Sequence, residues 1–242
     1  MTSRISTVIR GRPLVAYFVL AFGITWLFWI PTLIIAWNQG WTLPTPFVDL
    51  VSLQFVDAWE ALVFVFFSLA VFGPLFAALL VTYASGGRPG LRELWGRMKK
   101  ARVGAKWYLL VFLLPLLLTL AVAGIAIAMT GSASNLLNPA IPFPLLLIFF
   151  LYQLLTSGLE EPGWRGYALP KLQTGLSADK ASWRLGFLWA FWHYPFVIYL
   201  SYPAVMSPDN PLGMAVLIPT LAGFTMTIVG WTYVLTWVYN ST

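Results

Sequence analysis

The chain has 242 residues, of which 60% are hydrophobic and only 9% are charged, and its mean hydropathy is +0.80. A soluble domain of this length could not bury so much apolar surface in one core, so we expect an integral membrane protein. The absence of cysteine excludes disulfides and thiolate metal sites, and in a membrane protein a net charge of +6 indicates cytoplasmic loops rather than nucleic-acid binding.

Six apolar segments are long enough to cross about 30 Å of hydrocarbon as helices. They lie near residues 14–37, 58–84, 107–130, 143–161, 183–201 and 212–238. The sequence therefore predicts one all-α domain over 1–242, a polytopic transmembrane bundle of about six helices. A short basic helix over 89–104 is predicted on the membrane surface, and a solvated connector explains that stretch equally well. We interpret 38–57 as an ordered external cap.

The basic residues indicate the orientation of the chain. If the N-terminus is cytoplasmic, all 14 lysines and arginines fall on the cytoplasmic side, and the opposite loops hold only acidic charges. An even number of crossings then returns the C-terminus to the same side. We therefore expect a multi-pass protein of a cell membrane with both termini in the cytoplasm. As a separate expectation, the cell is bacterial.

Ionisable side chains at membrane depth are costly and usually functional, and the sequence EEPGWR contains three of them. Glu160 and Glu161 end the fourth segment, and because neighbours on a helix point about 100° apart, the two acids cannot do the same work. Glu161 and Arg165 are four residues apart and can form an ion pair. Pro162 should kink or break the helix and open an aqueous pocket beside Glu160.

The single histidine, His193, lies on the fifth segment, beside a bend expected at Pro195 and on the same helix face as Trp189. We expect Glu160 and His193 to meet at similar depth. Glu160 can then act as a general base on water, or both residues can bind Zn²⁺, which usually takes three protein ligands. Either route predicts hydrolysis of an amide. The structural alternatives are a hydrogen-bonding histidine, an interfacial Glu–Arg salt bridge and a packing role for Trp189.

Two stretches, EEPGWRGYALPKLQ and LWAFWHYPF, resemble the first two motifs of the CPBP family of intramembrane proteases. This family, also called Abi, comprises CAAX prenyl protease 2 type enzymes and bacteriocin-processing proteins. Glu160, Glu161 and Arg165 match its EExxxR motif, and Trp189 and His193 match the second motif, with Trp where many members have Phe. The resemblance covers roughly residues 90–242.

The resemblance implies catalytic roles for Glu160, Glu161 and His193, with Arg165 and Trp189 as structural support. Glu160 would be the water-activating base or a metal ligand, Glu161 would hold the local geometry with Arg165, and His193 would position the water or bind a metal. The family is classed as metalloproteases, but the same residues fit a metal-free glutamate mechanism. The cofactor is therefore either none or Zn²⁺ on Glu160 and His193.

One family feature is missing from this sequence. The third motif, HxxxN or HxxxD on a later helix, needs a second histidine, but this sequence contains a single histidine, His193. We therefore expect the family's C-terminal helices to be missing here, so that the chain is truncated before this motif and is catalytically impaired or inactive.

The function that the resemblance implies is an intramembrane endopeptidase. It would hydrolyse a peptide or membrane-protein substrate near the cytoplasmic leaflet. The expected partners are this substrate and the lipid bilayer, and no nucleic acid is expected to bind. One alternative is a non-catalytic membrane protein of the same fold, acting in bacteriocin immunity or partner binding. A less favoured alternative is a proton-coupled transporter that uses Glu160 and His193 as its relay.

Overall fold

The computed structural model describes residues 9–41, 43, 57–100, 102–131, 146–205 and 212–242. Within these ranges the chain forms helices and no strand, which confirms the all-α class. The α-helices are α1 (Pro13–Gln39), α2 (Ala58–Ala70), α3 (Gly73–Met98), α4 (Ala105–Thr130), α5 (Leu146–Leu155), α6 (Leu169–Gln173), α7 (Ala178–Val205) and α8 (Leu217–Ser241). The predicted external cap over 38–57 lies largely outside the described residues.

Several helices of the described part are long and apolar enough to cross a membrane, as a polytopic bundle requires. Taken alone, α1, α4 and the segment Gly213–Ser241 meet this requirement. The pair α2 and α3 adds a fourth crossing if it is counted as one span across its 49° bend. The predicted spans near 143–161 and 183–201 do not reach this standard. The first of these begins in residues outside the described part of the chain, where α5 is seen from Leu146 to Leu155, and α7 carries polar residues such as Asp179 and His193.

The single predicted span over 58–84 is broken where α2 gives way to α3. Helix α1 supplies hydrogen-bond donors to the end of α2: Thr25 Oγ1 donates to the carbonyl of Ala70 at 2.8 Å, and Trp29 Nε1 donates to the carbonyl of Phe67 at 3.1 Å. Lipid offers no partner to the free carbonyls at a helix end. The break therefore depends on its packing against α1.

The predicted basic helix is continuous with α3. The helix bends at Gly87, whose φ of 58° lies in the left-handed region that favours glycine. Pro89 follows, and the helix then runs to Met98. The prediction of a helix is thus confirmed as far as residue 98, whereas 102–104 are not helical. Its position on a membrane surface stays a prediction.

Helices α7 and α8 pack as an antiparallel pair. The hydroxyl of Tyr233 donates to Asp179 near the start of α7, and the hydroxyls of Tyr194 and Thr225 lie 2.8 Å apart further along. Between these contacts, a Cβ placed on Gly186 would lie 2.8 Å from the backbone of Val229. Small residues let membrane helices approach closely, and this pair holds α7 firmly in the bundle.

Helix α4 differs from the others because none of its residues is buried against the described part of the chain. Its aromatic contact with α8 is between Trp107 and Trp237, whose ring centroids are 5.1 Å apart. The core lies instead among α1, α3, α7 and the segment that follows α5, where Tyr17, Trp164 and Trp192 are fully buried.

Candidate active site

Glu160 lies where the winding of the helix changes. After α5 ends at Leu155, a 3₁₀ turn covers Ser157–Glu160 and a π-helix covers Pro162–Ala168. Proline cannot donate a backbone hydrogen bond. π-helical turns are rare in proteins, and those that occur are often at functional sites. The predicted break is therefore present, but it starts earlier than Pro162, at Thr156, whose φ and ψ are −91° and −81°.

The carboxylate of Glu160 is buried, with 5% of the residue exposed, and is held by two tryptophans. Trp164 Nε1 donates to its Oε2 at 3.3 Å, and Trp189 Nε1 donates to the same oxygen at 3.2 Å. A buried carboxylate needs such donors because burial removes its hydration. The two indoles fix the direction in which the carboxylate points.

His193 lies four residues after Trp189 on α7. Its Nδ1 is 2.8 Å from the carbonyl oxygen of Trp189. A carbonyl can only accept, so Nδ1 carries the proton in this contact, and Nε2 of the neutral ring is left as an acceptor. This tautomer suits His193 to accept a hydrogen bond from water.

Glu160 and His193 line the same cavity, which we call the Glu160–His193 cavity. Its volume is about 90 Å³, enough for a few water molecules, each of which takes roughly 30 Å³ in the liquid. Four helices contribute to its walls, among them α1 through Trp29, α2 through Phe67 and α7 through Phe196. The predicted convergence of Glu160 and His193 is thereby confirmed, and the presence of water in the cavity stays a prediction.

Glu161 occupies a different position from Glu160. It does not line the Glu160–His193 cavity but borders a separate pocket that also includes Arg165. Arg165 Nη1 donates to Glu161 Oε1 at 2.9 Å, which confirms the pairing expected from their spacing. The two acids therefore border different cavities. Their catalytic and supporting roles stay predictions.

Arg165 is buried, and only some of its hydrogen-bond donors have a partner among the described residues. Its side chain is 8% exposed, and its Nε and Nη2 have no hydrogen-bond partner among the described residues. Its guanidinium lies 4.1 Å from the centroid of the Trp189 ring, a cation–π contact that offsets part of the lost hydration. Trp189 therefore contacts Glu160 through its N–H, Arg165 through its ring and His193 through its carbonyl.

Several polar neighbours of the site were not predicted from the sequence. Trp164 could have been noted, because it is four residues from Glu160, but its donation was not anticipated. Tyr152 and Gln153 on α5 and Ser68 on α2 also line the Glu160–His193 cavity. Gln153 Oε1 is buried with no hydrogen-bond partner among the described residues. No spacing rule places Ser68 beside Glu160, because 92 residues separate them (160 − 68).

The donor set fits a zinc ion poorly. No group of three histidine, cysteine, aspartate or glutamate residues within the described ranges is arranged to hold a metal. Glu160 and His193 provide two ligands, whereas catalytic zinc sites usually have three protein ligands. In addition, Glu160 Oε2 already accepts from two indoles. These residues therefore fit a metal-free site better than a zinc site.

The fold and the site together define an all-α membrane protein with a buried, tryptophan-held carboxylate and a histidine on one cavity. Residues 142–242 match the family model for Rce1-like proteins, described as type II CAAX prenyl endopeptidase Rce1-like. A stretch of 44 residues is 48% identical to CAAX prenyl protease 2 of Methanococcus maripaludis. It covers 18% of this chain and 16% of that relative's length. Both matches confirm the resemblance to the CPBP, or CAAX protease, family.

Proposed function

We propose that this protein is an intramembrane endopeptidase of the CAAX protease type. The observation that supports the proposal most is that Glu160 and His193, from two separate helical segments, line one small cavity. The family match over 142–242 includes both residues. A hydrolase requires a base and a bound water in reach of each other, and this cavity offers places for both.

In the proposed mechanism Glu160 is the general base. Its carboxylate takes a proton from a water molecule that donates its other hydrogen to Nε2 of His193, while the water oxygen attacks the carbonyl carbon of the scissile bond. The tetrahedral intermediate collapses, the C–N bond breaks, and the protonated Glu160 returns the proton to the leaving amine. The products are a carboxylic acid and an amine, and Glu160 is regenerated as a carboxylate.

The proposed reaction takes place near the cytoplasmic leaflet. The support for this location is the positive-inside distribution over all six predicted spans, those near 143–161 and 183–201 included, which assigns 86–106 and 162–182 to the cytoplasmic side. Glu160 lies at the edge of the second of these loops. With this orientation both chain termini are cytoplasmic.

Residues 1–242 contain one histidine, so the histidine of the family's third motif has no counterpart within them. Loss of one oxyanion donor typically lowers kcat about 10²–10³-fold. We therefore propose that these residues alone hydrolyse slowly, and that a helix carrying HxxxN restores the rate when supplied by fusion. The same observation favours the second candidate function, a non-catalytic membrane protein that binds a partner, as in bacteriocin immunity.

Hydrolysis of a prenylated peptide ending in CAAX, followed by mass spectrometry of its products, tests the proposal. The protein is reconstituted in vesicles, with and without the HxxxN helix fused after Thr242. Glu160→Gln should abolish product formation in the fused protein, whereas Glu60→Gln, a matched change outside the cavity, should leave the rate unchanged. Equal rates for Glu160→Gln and the parent would refute the protease proposal. If the parent protein hydrolyses nothing, and both it and the Glu160→Gln variant bind a partner protein equally well, the second candidate is favoured.

A further inference from the structure

A polar pocket lies between α3 and the segment formed by the π-helix and α6. Its volume is about 240 Å³, and none of its lining residues borders the Glu160–His193 cavity. The side chains that matter are Thr82, Ser85, Glu93, Arg97, Tyr167 and Lys171, and we call this space the α3–α6 pocket. Its lining is predominantly polar, although α3 enters it from an apolar helical segment.

Two hydroxyl groups in the wall of this pocket are unused. Tyr167 is 5% exposed, and its hydroxyl has no hydrogen-bond partner in the described part of the chain. The same is true of Thr82 Oγ1, which is itself buried. Folded proteins rarely leave buried polar atoms without a partner, and each exception calls for a missing partner such as a ligand or water. Both residues line the pocket, and each hydroxyl has a proton to donate.

Basic groups stand beside these hydroxyls. Arg97 Nη1 donates to the carbonyl of Gly166 at 2.9 Å, which ties its guanidinium to the π-helix. Lys171, on α6, is exposed at the rim. Glu93 is the acidic side chain of this lining and lies 2.6 Å from Arg97 Nη2, but it is 67% exposed and can turn away into solvent. A fixed guanidinium, a mobile ammonium and two free hydroxyls form a set of donors for an anion with several oxygens.

We propose that the α3–α6 pocket binds a phosphate ester. Arg97 and Lys171 neutralise its charge, and Tyr167 and Thr82 donate to its oxygens. The phosphate belongs either to an anionic lipid headgroup or to a soluble phosphate ester. The lipid is the favoured source, because basic pockets at the cytoplasmic ends of membrane helices attract anionic headgroups and α3 carries a basic segment just beyond Gly87.

The test uses the purified full chain and two probes. One arm places the protein in vesicles of phosphatidylcholine with or without phosphatidylglycerol, and counts retained phosphatidylglycerol by native mass spectrometry. The other arm measures the unfolding temperature in detergent with inorganic phosphate against chloride at equal ionic strength. The variants are Tyr167→Phe, which removes only an unpartnered hydroxyl, and Lys171→Gln. The matched control is Arg92→Gln, an exposed basic residue outside the pocket on α3, the helix that carries Arg97.

We expect each pocket variant to lower phosphatidylglycerol retention roughly fivefold or more, since one charge-assisted hydrogen bond is lost, while Arg92→Gln leaves it unchanged. Retention of phosphatidylglycerol without stabilisation by inorganic phosphate supports the lipid source. Stabilisation by inorganic phosphate that Tyr167→Phe removes supports a soluble ester. The proposal is overturned if neither probe binds, or if Arg92→Gln weakens binding as much as Tyr167→Phe and Lys171→Gln do.

Discussion

The indole nitrogen of Trp189 lies 3.2 Å from Oε2 of Glu160, although the two residues are 29 positions apart in the sequence. Trp164 donates to the same oxygen, so Oε2 is engaged and Oε1 is left to receive a proton. The tryptophan of the second motif is thus more than a packing residue. It connects the base of the proposed reaction to the helix that carries His193.

Removing the indole N–H of Trp189 should therefore impair catalysis more than folding. In the protein fused to an HxxxN helix, Trp189→Phe keeps an aromatic ring for Arg165 but loses the bond to Glu160. We expect kcat to fall about 10–100-fold with KM nearly unchanged, because a hydrogen bond to a charged group contributes about 1.5–3 kcal/mol. Steady-state hydrolysis of the prenylated peptide measures this change.

Trp183→Phe is the matched control for that experiment. Trp183 is on the same helix, is 39% exposed and does not line the Glu160–His193 cavity. Its kcat should equal that of the parent. If Trp189→Phe and Trp183→Phe give the same kinetics, Trp189 does not position the carboxylate.

Replacement of Arg165 by lysine should destabilise the protein despite the conserved charge. A lysine cannot reproduce both the ion pair with Glu161 and the flat contact with the Trp189 ring. We expect a loss of about 1–2 kcal/mol in the free energy of unfolding. Chemical denaturation in detergent, followed by tryptophan fluorescence, measures it. Arg184→Lys, at an exposed position, should have no effect, and equal stabilities for both variants would contradict this account.

Two glycine-to-alanine changes should shift the free energy of unfolding in opposite directions. A Cβ on Gly163 would lie 2.5 Å from the carbonyl oxygen of Pro74 and 2.7 Å from the hydroxyl of Tyr17, so Gly163→Ala should cost about 1–3 kcal/mol. Gly96 is helical with nothing within 4 Å of a Cβ, and Gly96→Ala should stabilise by up to about 1 kcal/mol. Thermal unfolding of both variants compares them. A Gly163→Ala protein as stable as the parent would show that the π-helix does not pack closely on α3.

Zinc should bind only substoichiometrically to residues 1–242. The two-ligand set of Glu160 and His193 predicts that a chelator leaves the unfolding temperature unchanged, and that mass spectrometry of the purified protein finds well under one zinc per chain. His193→Gln serves as the comparison. One zinc per chain, lost in both Glu160→Gln and His193→Gln, would establish the metal route and overturn the metal-free mechanism.

The sequence predicts those features of the site that depend on neighbours along a helix. A spacing of four residues predicts the pair of Glu161 and Arg165, which is observed at 2.9 Å. The same rule predicts that Trp189 and His193 lie on one face, and they are in contact. The all-α class follows from composition alone, because a membrane admits few other folds.

The remaining features depend on contacts between distant segments and on irregular winding. The break begins at Thr156 rather than at Pro162, since the chain departs from α-helical dihedral angles before the proline is reached. The interruption between α2 and α3 is stabilised by side chains of α1, which no pattern within 58–84 reveals. Ser68 and Gln153 reach the cavity only through this tertiary packing.

The isolation of α4 has a consequence for how its sequence can vary. Since none of its 26 residues is buried against the described part of the chain, interchange of leucine, valine, isoleucine and phenylalanine along it should be nearly neutral. Random apolar libraries at Leu109, Leu113, Leu117 and Leu120 should yield mostly functional clones, whereas the same libraries at Ala77, Ala78 and Val81 should yield few. Among relatives of this protein, substitutions should therefore accumulate fastest in this helix. They are limited by the need to keep it hydrophobic and not by the shape of individual side chains.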